Sequence, residues 1–127
     1  MIAKKALILG ATGLIGQAVI ARLLADDRYD RVVAFSRREI ALTHPKLKVE
    51  IIDFADMEEY AEKFIGDELY CCLGTTMKKA GSEEAFKWVD YEIPYRAAKI
   101  AQKQGLKHYL IITAMGADPK SFFFYNR

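Results

Sequence analysis

Between a short apolar run, Ala6-Leu7-Ile8-Leu9, and a stretch with apolar residues at helical spacing lies Gly10-Ala11-Thr12-Gly13-Leu14-Ile15-Gly16. Each glycine has its own use there. Gly10 permits a tight turn, Gly13 lets backbone come close to a pyrophosphate, and Gly16 lets the helix pack tightly on the strand. A helix that starts at this point offers unpaired N–H groups and a partial positive charge to phosphate oxygens. Three glycines can equally serve an ordinary turn and a close helix contact. The strand before them and the helix after them favour a dinucleotide-binding turn.

Further chemistry is spaced along the chain at the ends of the later apolar runs. Where an NAD-specific site carries an acidic residue after its second strand, this sequence has Ser36-Arg37-Arg38, followed by Glu39. Two guanidinium groups and a hydroxyl suit a 2′-phosphate. NADP(H) is therefore the expected cofactor; a solvated basic loop is the plainer alternative, and Glu39 keeps NAD(H) open. In Ile51-Ile52-Asp53-Phe54, Asp53 has two roles of equal standing on chemistry alone. It can accept a hydrogen bond from an adenine amino group, or Asp53 or Asp56 can cap a turn or helix. Leu73-Gly74-Thr75-Thr76 places a glycine and two hydroxyls at a loop where a ribose or nicotinamide would pass, or else forms a capping turn before Met77-Lys78-Lys79. Trp88 and Tyr91 read as core residues of a long helix.

These residues need elements to hold them together. Apolar runs alternate with helix-like segments, without repeats or linkers, which is the pattern of βαβ units. Strands are predicted at Ala6–Leu9, Arg31–Ser36, Val49–Ile52, Leu69–Leu73 and Tyr109–Thr113. Helices are predicted at Leu14–Ala25, Met57–Phe64 and Ser82–Gln104, with Pro94 bending or restarting the last. Because each strand is a continuous apolar run, the sheet should be parallel and covered on both faces. Right-handed crossovers then give a doubly wound α/β sheet of the Rossmann type, ordered 3-2-1-4-5.

Composition narrows the partners. The chain has 127 residues, 52% of them hydrophobic, enough for one domain and too few for two. Nineteen basic and 17 acidic residues leave a net charge of +2, without the basic field of a nucleic-acid binder. The apolar segment after Lys4 and Lys5 is broken by glycine and lacks a cleavage site, so it reads as a strand and not a signal peptide. No run approaches the ~20 apolar residues of a membrane span. Adjacent Cys71 and Cys72 suit buried thiols in a reducing compartment, which places the protein in the cytoplasm. No metal site is expected, with His44 and His108 the only histidines.

Taken together, the glycine turn, Ser36-Arg37-Arg38, Cys71-Cys72-Leu73-Gly74-Thr75-Thr76, Lys79-Ala80-Gly81, Val89-Asp90 and Gly116-Ala117-Asp118 resemble the short-chain dehydrogenase/reductase superfamily. The likeness is to its atypical, Tat-interacting-protein-like oxidoreductase branch, and runs essentially from Lys4 to the last residue. The resemblance implies that Thr12, Leu14 and Ile15 join the glycines at the pyrophosphate, that Asp53 and Phe54 flank adenine, and that Leu73, Gly74 and Thr75 line the ribose and nicotinamide. It implies a hydroxyl, tyrosine and lysine trio, with Thr113 orienting the substrate and Tyr125 as the tyrosine. The lysine would lie beyond Arg127. A tyrosine hydroxyl, with an unperturbed pKa of about 10, is a poor acid and base at neutral pH without such a cation.

On this reading the chain is a single NAD(P)-binding domain, residues 1–127, lacking its C-terminal part. Phe122-Phe123-Phe124-Tyr125 supports that, because so aromatic a run suits the start of a packed helix better than a loose tail; packing in place or an interface would also account for it. The expected function is an NADP(H)-dependent reductase or dehydrogenase acting on a carbonyl or alcohol substrate of unknown identity. A non-catalytic NADP(H)-sensing module and a sugar-nucleotide epimerase or dehydratase share every motif. The resemblance also raises a homodimer formed through the long helix.

Overall fold

The computed structural model describes residues 3–73, 84 and 91–111. Five parallel strands form one sheet in the order β3-β2-β1-β4-β5, the order expected from the sequence. They are β1 (Lys4–Leu9), β2 (Tyr29–Ser36), β3 (Leu47–Ile51), β4 (Glu68–Cys71) and β5 (His108–Ile111). Among the described residues, the α-helices α1 (Leu14–Ala25) and α2 (Ile93–Lys103) and a 3-10 helix (Phe54–Lys63) lie between them.

Successive side chains of a strand point to opposite faces, so a central strand with helices on both sides must be apolar throughout. From β1, Leu7 and Leu9 enter one core with Val33, Phe35, Met57, Phe64, Ala97 and Ile100. Ala6 and Ile8 enter the other with Val32, Ala34 and, from α1, Ile20, Leu23 and Leu24. Phe35 and Phe64 stack at 4.4 Å between centroids, binding the 3-10 helix to the sheet.

Several expectations change. β2 begins two residues early, and β3 lies at Leu47–Ile51 rather than Val49–Ile52. β3 is an edge strand, with Ile51 52% exposed, so its apolar residues are not covered on both faces. β4 stops at Cys71, short of Leu73, and β5 starts at His108. The helix expected at Met57–Phe64 is a 3-10 helix begun earlier, capped where Asp53 Oδ1 accepts from Ala55 N–H at 2.9 Å. Pro94 sits in the first turn of α2, directly after a π-helical stretch at 91–92, so the helix changes its hydrogen-bonding pattern beside the proline. The core role expected of Tyr91 is wrong: it is 51% exposed and stacks on Tyr95 one turn along the outer side. Trp88 lies outside the described residues.

The opposite end of the sheet from the glycine turn buries a carboxylate. Glu68 is 6% exposed; its Oε1 accepts from Tyr29 OH and from Tyr70 OH at 3.0 Å, and its Oε2 accepts from Lys4 Nζ at 3.3 Å. Burial alone would raise this carboxyl, but the three donors hold it below the ordinary glutamate range. Tyr29→Phe removes one hydrogen bond to a buried charge and should cost about 2 kcal/mol in urea unfolding at pH 7. A carboxyl that titrates lower in the folded chain stabilises above its unfolded pKa of about 4.3, and that contribution is lost as pH falls through the folded value. The gap between wild type and Tyr29→Phe should therefore narrow at pH 3. A gap of the same size at both pH values would refute this account of the cluster.

Candidate functional site

The glycine turn joins the C-terminal end of β1 to the start of α1, and its geometry explains two of its glycines. Gly10 has φ +84, a left-handed conformation, and a Cβ there would lie 2.8 Å from the backbone of Cys72 and Leu73, where the chain leaves β4. A Cβ on Gly16 would lie 1.8 Å from Gly10 O. Gly13 differs, since among the described residues its Cβ would meet only Gly10 O, at an ordinary 3.7 Å. None of the described residues therefore requires a glycine at 13.

Gly13 is the N-cap of α1, and no side chain caps the helix. The first helical bond runs from Gln17 N–H to Gly13 O at 2.8 Å, so the N–H groups of Leu14, Ile15 and Gly16 precede it. Gln17 Nε2 also donates to Thr12 O at 2.8 Å, fixing the turn. The first turn of α1 holds no acidic residue, so the helix itself supplies no counter-charge to its positive end.

Beside this helix end is a cavity of about 310 Å³, bounded by Gly10, Thr12, Ser36, Arg37, Phe54 and Leu73. It brings together residues from the ends of β1, β2, β3 and β4, as expected for the carboxyl edge of an open parallel sheet. Arg37 and Arg38 are exposed on its rim, and among the described residues neither is paired with a carboxylate. Ser36 Oγ accepts from Arg38 N–H at 3.2 Å, which leaves its own O–H to donate. Phe54, 6% exposed, forms the wall at the start of the 3-10 helix. Asp53 is beside it but does not line the cavity; its observed work is the cap on Ala55 N–H.

Ala11 and Phe35 also line this space, and sequence reasoning passed over both. Ala11 is a filler of the turn, while Phe35, just before Ser36 at the end of β2, reads only as core. Gly74, Thr75, Thr113 and Tyr125 lie outside the described residues. A larger cavity of about 640 Å³ lies between α1 and the helix-free β2–β3 connection, walled by Ile20, Leu24, Ile40 and Leu42. It lacks Gly10, Ser36, Arg37 and Arg38, all of which line the smaller space.

Cys71 and Cys72 are buried and not in a disulfide. Burial, reinforced by Cys71, pushes the Cys72 thiol up to about 12, which suits packing and not nucleophilic attack. Among the described residues no group of His, Cys, Asp or Glu could hold a metal, and no helix is long and apolar enough to cross a membrane.

Residues 10–127 match a protein-family model described as NAD(P)H-binding. Protein HTATIP2 of Rattus norvegicus is 33% identical, over 96% of this chain and 52% of its own length. The mitochondrial protein FMP52 of Candida albicans is 32% identical, over 94% of this chain and 55% of its own. The chain thus spans about half the length of the curated relatives it matches. In fold it is similar to a uronate dehydrogenase mutant from Agrobacterium tumefaciens complexed with NAD, with TM-score 0.71, 18% identity, and 87% and 40% of the two chains covered.

Proposed function

The chain belongs to the NAD(P)H-binding family, and on that premise we propose that it is a single domain, residues 1–127, forming the NADP(H)-holding part of an oxidoreductase. One observation carries this reading: the Gly10-Ala11-Thr12 turn, which leads into the N-terminus of α1, and the Ser36-Arg37-Arg38 segment line the same cavity. The helix end suits a pyrophosphate, and the guanidinium groups, unpaired among the described residues, suit a 2′-phosphate. Gly13 supports it further, because close approach of a ligand gives a glycine there a purpose that packing among the described residues does not. Asp53 can still accept from adenine through the carboxylate oxygen that does not cap, beside a Phe54 wall. Glu39, at the cavity rim, is the residue that opposes a 2′-phosphate.

Calorimetric titration with NADPH and NADH tests the reading directly. Tight NADPH binding with weak NADH binding is expected. Equal binding would assign Arg37 and Arg38 to a solvated loop, and binding of neither would overturn the site.

The cofactor, when bound, supplies hydride transfer. From this chain, Leu73, Gly74 and Thr75 would support the ribose and nicotinamide, Thr113 would hold a substrate oxygen, and Tyr125 would move a proton at that oxygen. The resemblance to short-chain dehydrogenases and reductases supports these roles. Should the protein continue past Arg127, a lysine four residues after Tyr125 would favour a catalyst, and another residue there an NADP(H) sensor. An epimerase or dehydratase would differ only in its substrate region. The buried, reduced thiols of Cys71 and Cys72 suit the cytoplasm, whereas the Candida relative is labelled mitochondrial.

A further inference from the structure

Helix α2 lies away from the cavity, yet one of its side chains reaches the cavity wall from behind. Arg96, whose side chain is 20% exposed, donates from Nη2 to the carbonyl oxygen of Ala55 at 2.9 Å and from Nε to Glu58 Oε2 at 2.6 Å. Its Nη2 also pairs with Glu58 Oε1. Ala55 immediately follows Phe54, and its N–H is already held by Asp53. Both polar groups of this residue are thus fixed, one by a near neighbour and the other from 41 residues away. The next residue, Asp56, departs from helical geometry at φ −109 and ψ 29. The turn that carries Phe54 is closed by one bond of the helix itself, Asp56 N–H to Asp53 O at 3.0 Å, and the helix is irregular directly after it, so the carbonyl of Ala55 is held from outside by Arg96.

We propose that Arg96 is a positioning residue for the nucleoside half of the site, setting the Asp53–Phe54 wall for a 2′-phosphorylated purine nucleotide. This deepens the NADP(H) reading and rests on it. The planar fork of arginine is needed because two N–H groups meet Glu58 while one also meets a carbonyl; an ammonium cannot reproduce that set. A wall held in place before the ligand arrives spares the ligand the cost of ordering it.

The same two elements have a second tie, which makes a matched control. Gln104 Nε2 donates to Ala61 O at 2.8 Å, at the far end of the 3-10 helix from Phe54. In the full-length protein, Arg96→Gln should raise the Kd for 2′,5′-ADP about tenfold, while Gln104→Ala leaves it unchanged. In a Phe54→Leu background, Arg96→Gln should add no further loss. Equal weakening by Gln104→Ala, or the same loss with Phe54 replaced, would reduce Arg96 to a general docking contact and overturn the proposal. Unchanged binding in Arg96→Gln would also overturn it. If that variant does not fold, Arg96→Lys serves instead: weakening supports the proposal and wild-type affinity overturns it. Failure of the unaltered protein to bind 2′,5′-ADP would remove the NADP(H) reading itself, and this inference with it.

Discussion

Gly16→Ala should destabilise the chain by more than about 3 kcal/mol or prevent folding, although alanine is normally favoured over glycine inside a helix by about 1 kcal/mol. The added methyl carbon would lie 1.8 Å from Gly10 O, 2.7 Å from Gly10 C and 2.9 Å from Ala11 Cα, all backbone atoms that cannot rotate away. Relief requires α1 to lift from the turn, and that would pull Ile20, Leu23 and Leu24 from the core they share with Ala6, Ile8, Val32 and Ala34. Gly13→Ala is the informative comparison. Its methyl meets Gly10 O at 3.7 Å and its backbone is not left-handed, so a thermal melt should show a cost below about 1 kcal/mol. NADPH affinity should nevertheless fall, because the methyl would stand where a pyrophosphate approaches. If Gly13→Ala bound NADPH as well as wild type did, or if Gly16→Ala melted like wild type, the steric account of the turn would be wrong.

The strand order was legible because each apolar run is short, the segments between runs are long enough to cross over, and the handedness of crossovers leaves one simple sheet. Boundaries were less so. Leu47 and Lys48 pair with Val32 and Val33 at the start of β3, yet a leucine and a lysine after Pro45 have no strand signature of their own. Exposure of Ile51 follows from the edge position of β3, which an apolar run does not encode. The 3-10 helix hid for another reason: over ten residues, apolar spacing hardly separates three residues per turn from 3.6. Tyr91 shows the limit for side chains. Its spacing fitted a buried face, but just before α2 it stands exposed against Tyr95.

At the site, local motifs could be read and distant partners could not. Gly10 and Gly16 are explained by contacts within the turn or at the neighbouring strand end. The polar cluster around Glu68 joins residues up to 64 positions apart, and neither Lys4 nor Tyr29 carries any mark of it in its own segment. Arg96 is a similar case, an arginine on an amphipathic helix whose partners lie on another element.

Replacing both Arg37 and Arg38 with alanine should weaken NADPH about 100-fold and change NADH by less than about threefold. Each charge-assisted bond to a phosphate contributes about 1.5–3 kcal/mol, and exposure places these groups at the lower end, so two of them together supply a factor near 100. The fold should be unaffected, because both side chains are exposed and neither is paired among the described residues. The alanines keep the Arg38 N–H that donates to Ser36 Oγ, so the turn survives and the charge alone is removed. Salt provides a second check. Attraction between exposed guanidinium groups and a phosphate is screened over about 8 Å at physiological ionic strength, so wild-type NADPH affinity should fall as salt rises, and the double variant should have lost most of that dependence. Equal losses for NADPH and NADH would mean that the arginines meet the pyrophosphate or only the general field of the ligand, and selectivity would then have to come from elsewhere. In that case Glu39, beside them on the rim, becomes the residue to replace, since a carboxylate there would favour an unmodified ribose.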